Sequence, residues 1–341
     1  MSEEYDVAVI GAGPAGLSFI NVYENKSDLI LIERQKIPRD KPCGGMLVEE
    51  SINYLKNIPR KVLSRPDKMT LSYIDFDNKV FVEGRRKFVN VNRKLFDFWL
   101  FESIRNEFVT YDNTVLVNIE KRNDFYKLKL MRRGEPFYMK TKSIIGADGA
   151  TSVVRRNVKN SLPDTYLAVQ KWYLNENGLN EAFFIFDSNT SPFYSWLIPK
   201  GNQIILGTAL LPGDAIKKID LLKNKLFGLL NIVLSKSEKT EVHPTMKGVP
   251  KNIILGRKNA FLIGEAAGLI SPSSGEGISF ALRSGEYCAD AFNEGKPELY
   301  YTKVLPLINE VKDKYKKYKI ITDPDKRINI LQKLGRVEEI K

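Results

Sequence analysis

Gly11, Gly13 and Gly16 stand in the GxGxxG spacing of the segment GAGPAG, and Glu33 follows 20 residues after Gly13. Those residue types at that spacing suit one task, holding a dinucleotide. Gly11 permits a tight turn. Gly13 removes a side chain, so the backbone can approach a pyrophosphate. Gly16 lets the following helix lie close on a sheet, and the helix start offers N–H groups and a favourable dipole to the phosphates. A carboxylate at position 33 can accept hydrogen bonds from the two hydroxyls of an adenosine ribose.

A second glycine-rich segment lies near the other end, GEAAGLISPSSGEGI at 264–278, with Gly264-Glu265, Pro272 and Gly275-Glu276-Gly277 just ahead of a helix that starts near Ile278. Glycines before a helix again expose backbone N–H groups to an anion or a carbonyl. Two such helix starts do not fit one simple nicotinamide unit; they fit a large, two-ended cofactor held by both segments. Between them, IIGADGATSVVRR at 144–156 has a strand stopping at Gly146 and a turn at Asp148-Gly149. Cys43-Gly44-Gly45 follows Pro38 and Pro42 in the loop leaving the second strand. It either packs against a ring system or is a structural turn with a buried thiol.

The elements that must place these residues are legible from periodicity. YDVAVI from Tyr5 and the apolar run Leu29–Ile32 read as buried strands flanking a helix, and a further helix is expected from Val48 through Leu55. Strands are expected over 69–91, joined around Asp77-Asn78, followed by a helix that Asn92 can cap. Arg93 lies in its first turn, where the dipole disfavours a cation; it is a phosphate contact or a solvated surface arginine. Short strands fill 107–142, and four more are expected in TYLAVQKWYL, EAFFIFDS, FYSWLIPK and QIILGTAL. Trp172, Phe184, Phe186, Tyr194 and Trp196 belong on one face of that sheet, as core or as the wall of a pocket for a flat or greasy substrate. Residues 215–237 read as mostly helical, and His243-Pro244 as part of a connector in which the histidine is structural.

Composition narrows the classes. The 341 residues, 43% hydrophobic and 28% charged, suit a globular chain of one or two domains. No apolar run approaches a membrane span, and no basic-then-apolar leader is visible. Two cysteines, Cys43 and Cys288, give no disulfide framework, and with a single histidine they leave little for a zinc site, so no metal is expected. The net charge of +12 comes from lysines spread through the chain, without a nucleic-acid module. Residues 311–327 carry seven lysines and arginines against three aspartates. That helix is either a solvated face packed by its tyrosines or a dock for an anionic bilayer or acidic partner.

Together, GAGPAG at 11–16, Glu33, PCGG at 42–45, Arg93 with Phe96-Asp97, GADGATSVVR at 146–155 and GEAAGLISPSSGEGI at 264–278 resemble FAD-dependent reductases and monooxygenases of the p-hydroxybenzoate hydroxylase fold. Within that group the chain resembles the geranylgeranyl reductase family, on PCGG and on YSWLIPK at 194–200, where Ile198 stands in place of the usual phenylalanine. The resemblance covers roughly residues 4–290. It implies FAD contacts at Gly11, Gly13, Pro14, Ala15, Gly16, Glu33, Arg34, Pro42, Cys43, Gly44, Arg93, Asp148, Gly149, Gly264, Glu265, Pro272, Gly275, Glu276, Gly277 and Ile278. Glu265 departs from the family's aspartate by one methylene. Cys43, Gly44 and Gly45 resemble the loop on the substrate side of the flavin ring, where catalysis takes place.

The fold so implied is α/β: a Rossmann-like FAD-binding domain in pieces 1–68, 92–160 and 251–295, interleaved with substrate-domain strands at 69–91 and a mixed-sheet substrate domain at 161–250, and a short basic helical tail at 296–341. The implied reaction is reduction of C=C bonds in a polyprenyl lipid or diphosphate by hydride transfer from reduced flavin. The alternative is a flavin monooxygenase or halogenase, because YSWLIPK also resembles part of the halogenases' WxWxIP context. NAD(P)H or a ferredoxin docked on the basic surface is the expected electron donor. The expected place is cytoplasmic, with peripheral contact at an anionic membrane, and no nucleic acid is expected as a partner.

Overall fold

The YDVAVI run forms the strand Glu4–Ile10, and the LILI run forms Leu29–Ile32, with all four of its side chains buried. Continuous apolar character is what an interior parallel strand needs, since both of its faces are covered. Each fully buried leucine or isoleucine contributes roughly 1.5–3 kcal/mol relative to exposure. The computed structural model describes residues 3–160, 163–211 and 215–340. The chain divides into two units, 1–40 with 94–164 and 246–315, and 41–93 with 165–245 and 316–341. The α/β class holds in both. The break expected at 160/161 adjoins residues 161–162, which lie outside those described.

The first unit is built on an eight-stranded sheet. Its parallel core runs Ala260–Leu262, Glu135–Gly146, Glu4–Ile10, Leu29–Ile32 and Val109–Tyr111, in that spatial order. The antiparallel strands Thr114–Lys121 and Tyr126–Arg132 extend from the first half of Glu135–Gly146. The helices Pro14–Val22 and Ile278–Asn293 pack closely because Gly285 lacks a side chain: a Cβ there would lie 2.4 Å from Ala15 O. The Ser18 hydroxyl donates to Leu282 O at 2.6 Å and fixes the crossing.

The second unit carries a ten-stranded sheet. From one edge it runs Lys239–Met246, Thr165–Leu174, Gln203–Leu210, Ser195–Lys200, Ala182–Phe186, Leu63–Asp75, Val80–Gly84 and Gly335–Glu339, with Met46–Leu47 and Lys87–Val91 branching from it. Strand alternation sorts its faces. Tyr173, Phe183, Ile185 and Leu197 are buried with Ile219, Leu222 and Leu226 of the helix Ala215–Leu230. Phe184, Trp196 and Trp172 go to the other face.

Three local readings change. The strand Leu63–Asp75 starts six residues before Met69, because pairing with Lys87–Val91 carries it past Pro66. His243-Pro244 lies inside the strand Lys239–Met246, which is the edge strand, where proline is tolerated. The helix Ala215–Leu230 stops at Asn231, which adopts a positive φ of 51°. The basic tail is helical over Leu305–Ile321 and Pro324–Leu331 and then ends as the strand Gly335–Glu339, paired with Val80–Gly84. Its Arg327 is 3% exposed, bidentate to Asp75 at 2.7 and 2.8 Å and bonded to Asp77 at 2.7 Å. Among the described residues, no helix is long and apolar enough to cross a membrane.

Candidate active site

In the first unit the glycine turn has the shape its sequence requires. Gly11 sits at φ 108°, and a Cβ on it would lie 2.6 Å from Ala147 O. A Cβ on Gly16 would lie 2.1 Å from Gly11 O, so the helix Pro14–Val22 rests on the strand end without an intervening side chain. Gly13 caps that helix, with no side-chain hydrogen bond at the cap; Pro14 and Ala15 fill its first turn and are buried.

Glu33 lies at the end of the second strand, 5% exposed, and its Oε2 accepts from Ala12 N–H at 2.8 Å while Oε1 accepts from Gln35 N–H at 3.0 Å. Arg34 follows it and is exposed. A residue the motif reading missed completes the corner. Arg39 donates to Ala12 O at 2.9 Å and to Asp97 Oδ2 at 3.0 Å, and its Nε lies 3.3 Å from Glu33 Oε2. A Cβ on Gly13 would come 3.2 Å from its Nη2. A mostly buried guanidinium thus flanks the turn, between two carboxylates. Beside it Ala12, Ile37, Pro38, Asp97, Phe98 and Phe101 line a cleft.

The GADG segment is held by its own side chains. Asp148 accepts from the Ser152 hydroxyl at 2.5 Å and from Val153 N–H at 2.7 Å, at the start of the helix Val153–Lys159. Burial raises its pKa, against those donors, which lower it. Arg155 is 2% exposed and donates to Ala266 O at 2.9 Å and Asn252 O at 2.6 Å, which ties this segment to GEAAG. Gly149 takes φ 72°, and a Cβ on it would lie 3.8 Å from Glu265 Oε2.

Glu265 Oε1 accepts from Met246 N–H at 2.9 Å. Gly264 takes φ 56° against Ala15 and donates its N–H to Ser284 Oγ at 2.9 Å. Pro272 is buried, and a Cβ on Gly248 would lie 2.7 Å from its nitrogen. Gly275, at φ 60°, closes the turn by donating to Ser271 O at 2.9 Å. Gly277 caps the helix beginning at Ile278, where the Glu276 carboxylate accepts from Ser279 N–H and its hydroxyl, both at 2.7 Å. These two glycine turns, each opening a helix of nine residues or more, fit the phosphate and polar edges of a dinucleotide.

In the second unit, Pro42-Cys43-Gly44-Gly45 forms a loop pressed on two strands. Gly45 N–H donates to Cys43 Sγ at 3.4 Å, and Val91 N–H donates to Gly45 O at 2.8 Å. A Cβ on Gly44 would lie 2.6 Å from Ile198 Cδ1. A Cβ on Gly45 would lie 2.7 Å from Lys200 Nζ. The Lys200 amine donates to Asn90 Oδ1 and to Val91 O, the latter at 3.0 Å. Burial pulls its pKa down to about 7; Cys43 opposes that shift, and Arg93, at the start of the helix Arg93–Glu102, adds to it. Composition could not single out Lys200 among so many lysines; only its following YSWLIP marked it.

The aromatic side chains named from sequence divide into two groups. Phe184 stacks on Tyr194 at 4.5 Å, and Trp196 meets Tyr194 edge-on at 6.0 Å. Phe186 packs against Tyr194 at 6.5 Å. Cys43 is close enough to Tyr194 to add to the rise in pKa that burial causes there. Trp196 lies on Gly207, where a Cβ would fall 2.2 Å from the indole ring, and its buried Nε1 has no hydrogen-bond partner among the described residues. Trp172 instead donates its N–H to Glu241 Oε2 at 2.7 Å, which also accepts from Gln170.

No protein-family model matches the chain. It is 31% identical over 299 residues to Protein CbrA of Escherichia coli O9:H4 (strain HS), covering 83% of this chain and 80% of that protein. The CbrA of Shigella flexneri serotype 5b (strain 8401) is 31% identical over 305 residues, 85% of this chain and 82% of that one. A geranylgeranyl bacteriochlorophyll reductase-like protein from Thermoplasma acidophilum has the same fold, with a TM-score of 0.81 over 97% of this chain and 91% of that chain at 19% identity. The flavin-dependent halogenase CmlS gives 0.68 at 17% identity, over 99% of this chain and 68% of its own. The P. aeruginosa protein PqsL, solved with 2-aminobenzoylacetate, gives 0.74 at 13% identity, over 97% of this chain and 100% of that chain. With 31% identity to CbrA over 83% of this chain and 80% of that protein, the chain belongs to the CbrA family, and its fold is that of the geranylgeranyl bacteriochlorophyll reductase-like protein and the flavin-dependent halogenase it superimposes on.

Proposed function

We propose that this protein reduces carbon–carbon double bonds in a polyprenyl chain, carried as a lipid or as a diphosphate. The observation that carries the reading is the Cys43 loop beside Phe184, Tyr194 and Trp196: a thiol and an amine set against an aromatic surface. Aromatic faces bind a greasy chain without offering it polar partners, and they exclude water.

Gly11, Gly13 and the start of the helix Pro14–Val22 hold the pyrophosphate of FAD, Glu33 the ribose, and Arg39 adds a cation that the motif does not specify. The cleft beside Arg39 receives the adenosine end. The backbone around Pro272, Gly275 and Gly277 serves the ring's polar edge. Reduced FAD, when bound, supplies a hydride equivalent from N5. An isolated alkene has no carbonyl to take up charge, so alignment and a nearby proton are what this chain must provide. Phe184, Tyr194 and Trp196 align the chain, and Cys43 holds the proton. The electrons come from NAD(P)H or a ferredoxin-like donor on the basic surface, and the substrate is drawn from an anionic membrane face.

The low pKa of Lys200 favours a second reading, a flavin monooxygenase or halogenase in which that amine handles an oxidised group. The two separate in an anaerobic half-reaction with dithionite-reduced protein and geranylgeranyl diphosphate. The reductase reading expects flavin reoxidation, slowed at least tenfold in Trp196→Leu with flavin retained. Turnover only with oxygen and an aromatic substrate belongs to the second reading.

A further inference from the structure

The Lys200 amine is placed with unusual care for a lysine. It sits at the end of the strand Ser195–Lys200, mostly buried, on two acceptors, Asn90 Oδ1 and Val91 O. Asn90 is itself held, donating Nδ2–H to Pro199 O at 3.0 Å. Gly45 leaves the space the amine needs, and the same Gly45 gives its N–H to Cys43 Sγ. One glycine thus carries the thiol on one side and the amine on the other. The charged and titratable groups acting on Lys200 are Cys43 and Arg93. An ammonium has three donors, and the two acceptors use two of them.

We propose that Lys200 is the proton reservoir of the Cys43 loop: it reprotonates the Cys43 thiolate left when the thiol has given its proton to substrate. The inference rests on the reductase reading for its purpose. In the step, the Cys43 S–H bond breaks and a C–H bond forms at one alkene carbon, while the other carbon would take the hydride equivalent that reduced FAD would supply when bound. The thiolate then takes a proton from the Lys200 ammonium, and the neutral amine takes one from water. Burial lowers the cost of losing that proton near neutrality, which an exposed lysine does not allow. Lys200 acts through Cys43 and is a positioning residue in the strict sense.

The test needs no substrate. On the flavin-loaded protein, the rate of iodoacetamide alkylation at Cys43 is followed by peptide mass from pH 5.5 to 9.5; Cys288 is fully buried and serves as internal control. The wild type is expected to show an inflection near pH 7. In Lys200→Met that inflection disappears, and the rate at pH 7 falls at least fivefold, because the cation favouring thiolate is gone. Lys200→Arg keeps the cation but cannot titrate, so it keeps the rate and loses the inflection. Profiles of the three proteins that superimpose overturn the proposal. Where a variant does not fold, wild-type protein labelled with 13Cε-lysine decides: one resonance titrating near neutrality supports the reservoir, and lysines that all titrate above pH 9 overturn it. If the inflection is present but no polyprenyl chain reoxidises the flavin, the reductase reading fails and the pair stands; the reverse result removes the pair alone.

Discussion

The Lys200 amine rests against the α-carbon of Gly45: a Cβ there would lie 2.7 Å from Nζ and 2.3 Å from Val91 O. Gly45 also takes φ 62°, in the left-handed region. A side chain at 45 is therefore excluded twice, by conformation and by space. Gly45→Ala is expected to cost at least 1–2 kcal/mol from the backbone alone. It should displace the amine, lower the proposed reductase activity more than tenfold and leave flavin content unchanged. Chemical denaturation and flavin absorbance measure both; an active, equally stable variant contradicts the packing.

Lys200 also makes a prediction for stability against pH. Its pKa is about 7 in the fold, against an ordinary value of 10.5. Between those values the unfolded chain binds more protons than the folded one, so stability rises with pH across the window. Below pH 7 both states are protonated, and the cost of the buried charge is present in full. At about 1.4 kcal/mol per pH unit, the rise over the whole window is at most on the order of 5 kcal/mol. Urea unfolding at pH 6, 7, 8 and 9 should show this slope in the wild type and its loss in Lys200→Met. Parallel curves contradict it.

Arg39 is the cation between Glu33 and Asp97. Removing it takes the cation away from two buried carboxylates, which costs about 3–5 kcal/mol. Arg39→Met should fall in stability by that order and purify largely without flavin. Adding Asp97→Asn should restore much of the stability but not the flavin. Recovery of both in the double variant would mean that Arg39 serves the fold alone.

Arg327 fastens the last helix of the second unit to Asp75 and Asp77, and its guanidinium stacks 4.7 Å over Phe186. Arg327→Met is expected to lose about 3 kcal/mol and to expose the strand Gly335–Glu339 to proteolysis, with its cleavage preceding global unfolding. Cleavage rates equal to those of the wild type would contradict this anchoring.

Much of this was legible locally. GAGPAG and Glu33 form one unbroken strand–turn–helix–strand run, so spacing alone placed them. The aromatic strands were legible because alternation separates Phe183 from Phe184 and Leu197 from Trp196. What escaped was assembled from distant pieces. Arg39 meets Asp97 across 58 residues, and Lys200 reaches Asn90 across 110. The terminal strand GRVEE carries one large apolar residue, Val337, so no alternation marks it; its pairing with Val80–Gly84 supplies the order instead. The bond that Glu265 makes was not legible either, since the Met246 N–H it accepts from lies 19 residues away.

Single-turnover reoxidation of the wild-type protein without oxygen tests the proposed polyprenyl reduction. Flavin is reduced with dithionite, geranylgeranyl diphosphate is added, and the oxidised band is followed together with product mass. Return of the oxidised spectrum is expected, with a gain of two hydrogens for each double bond reduced. A flavin that stays reduced with every polyprenyl substrate, yet reoxidises with turnover of an aromatic compound once oxygen is admitted, would contradict it.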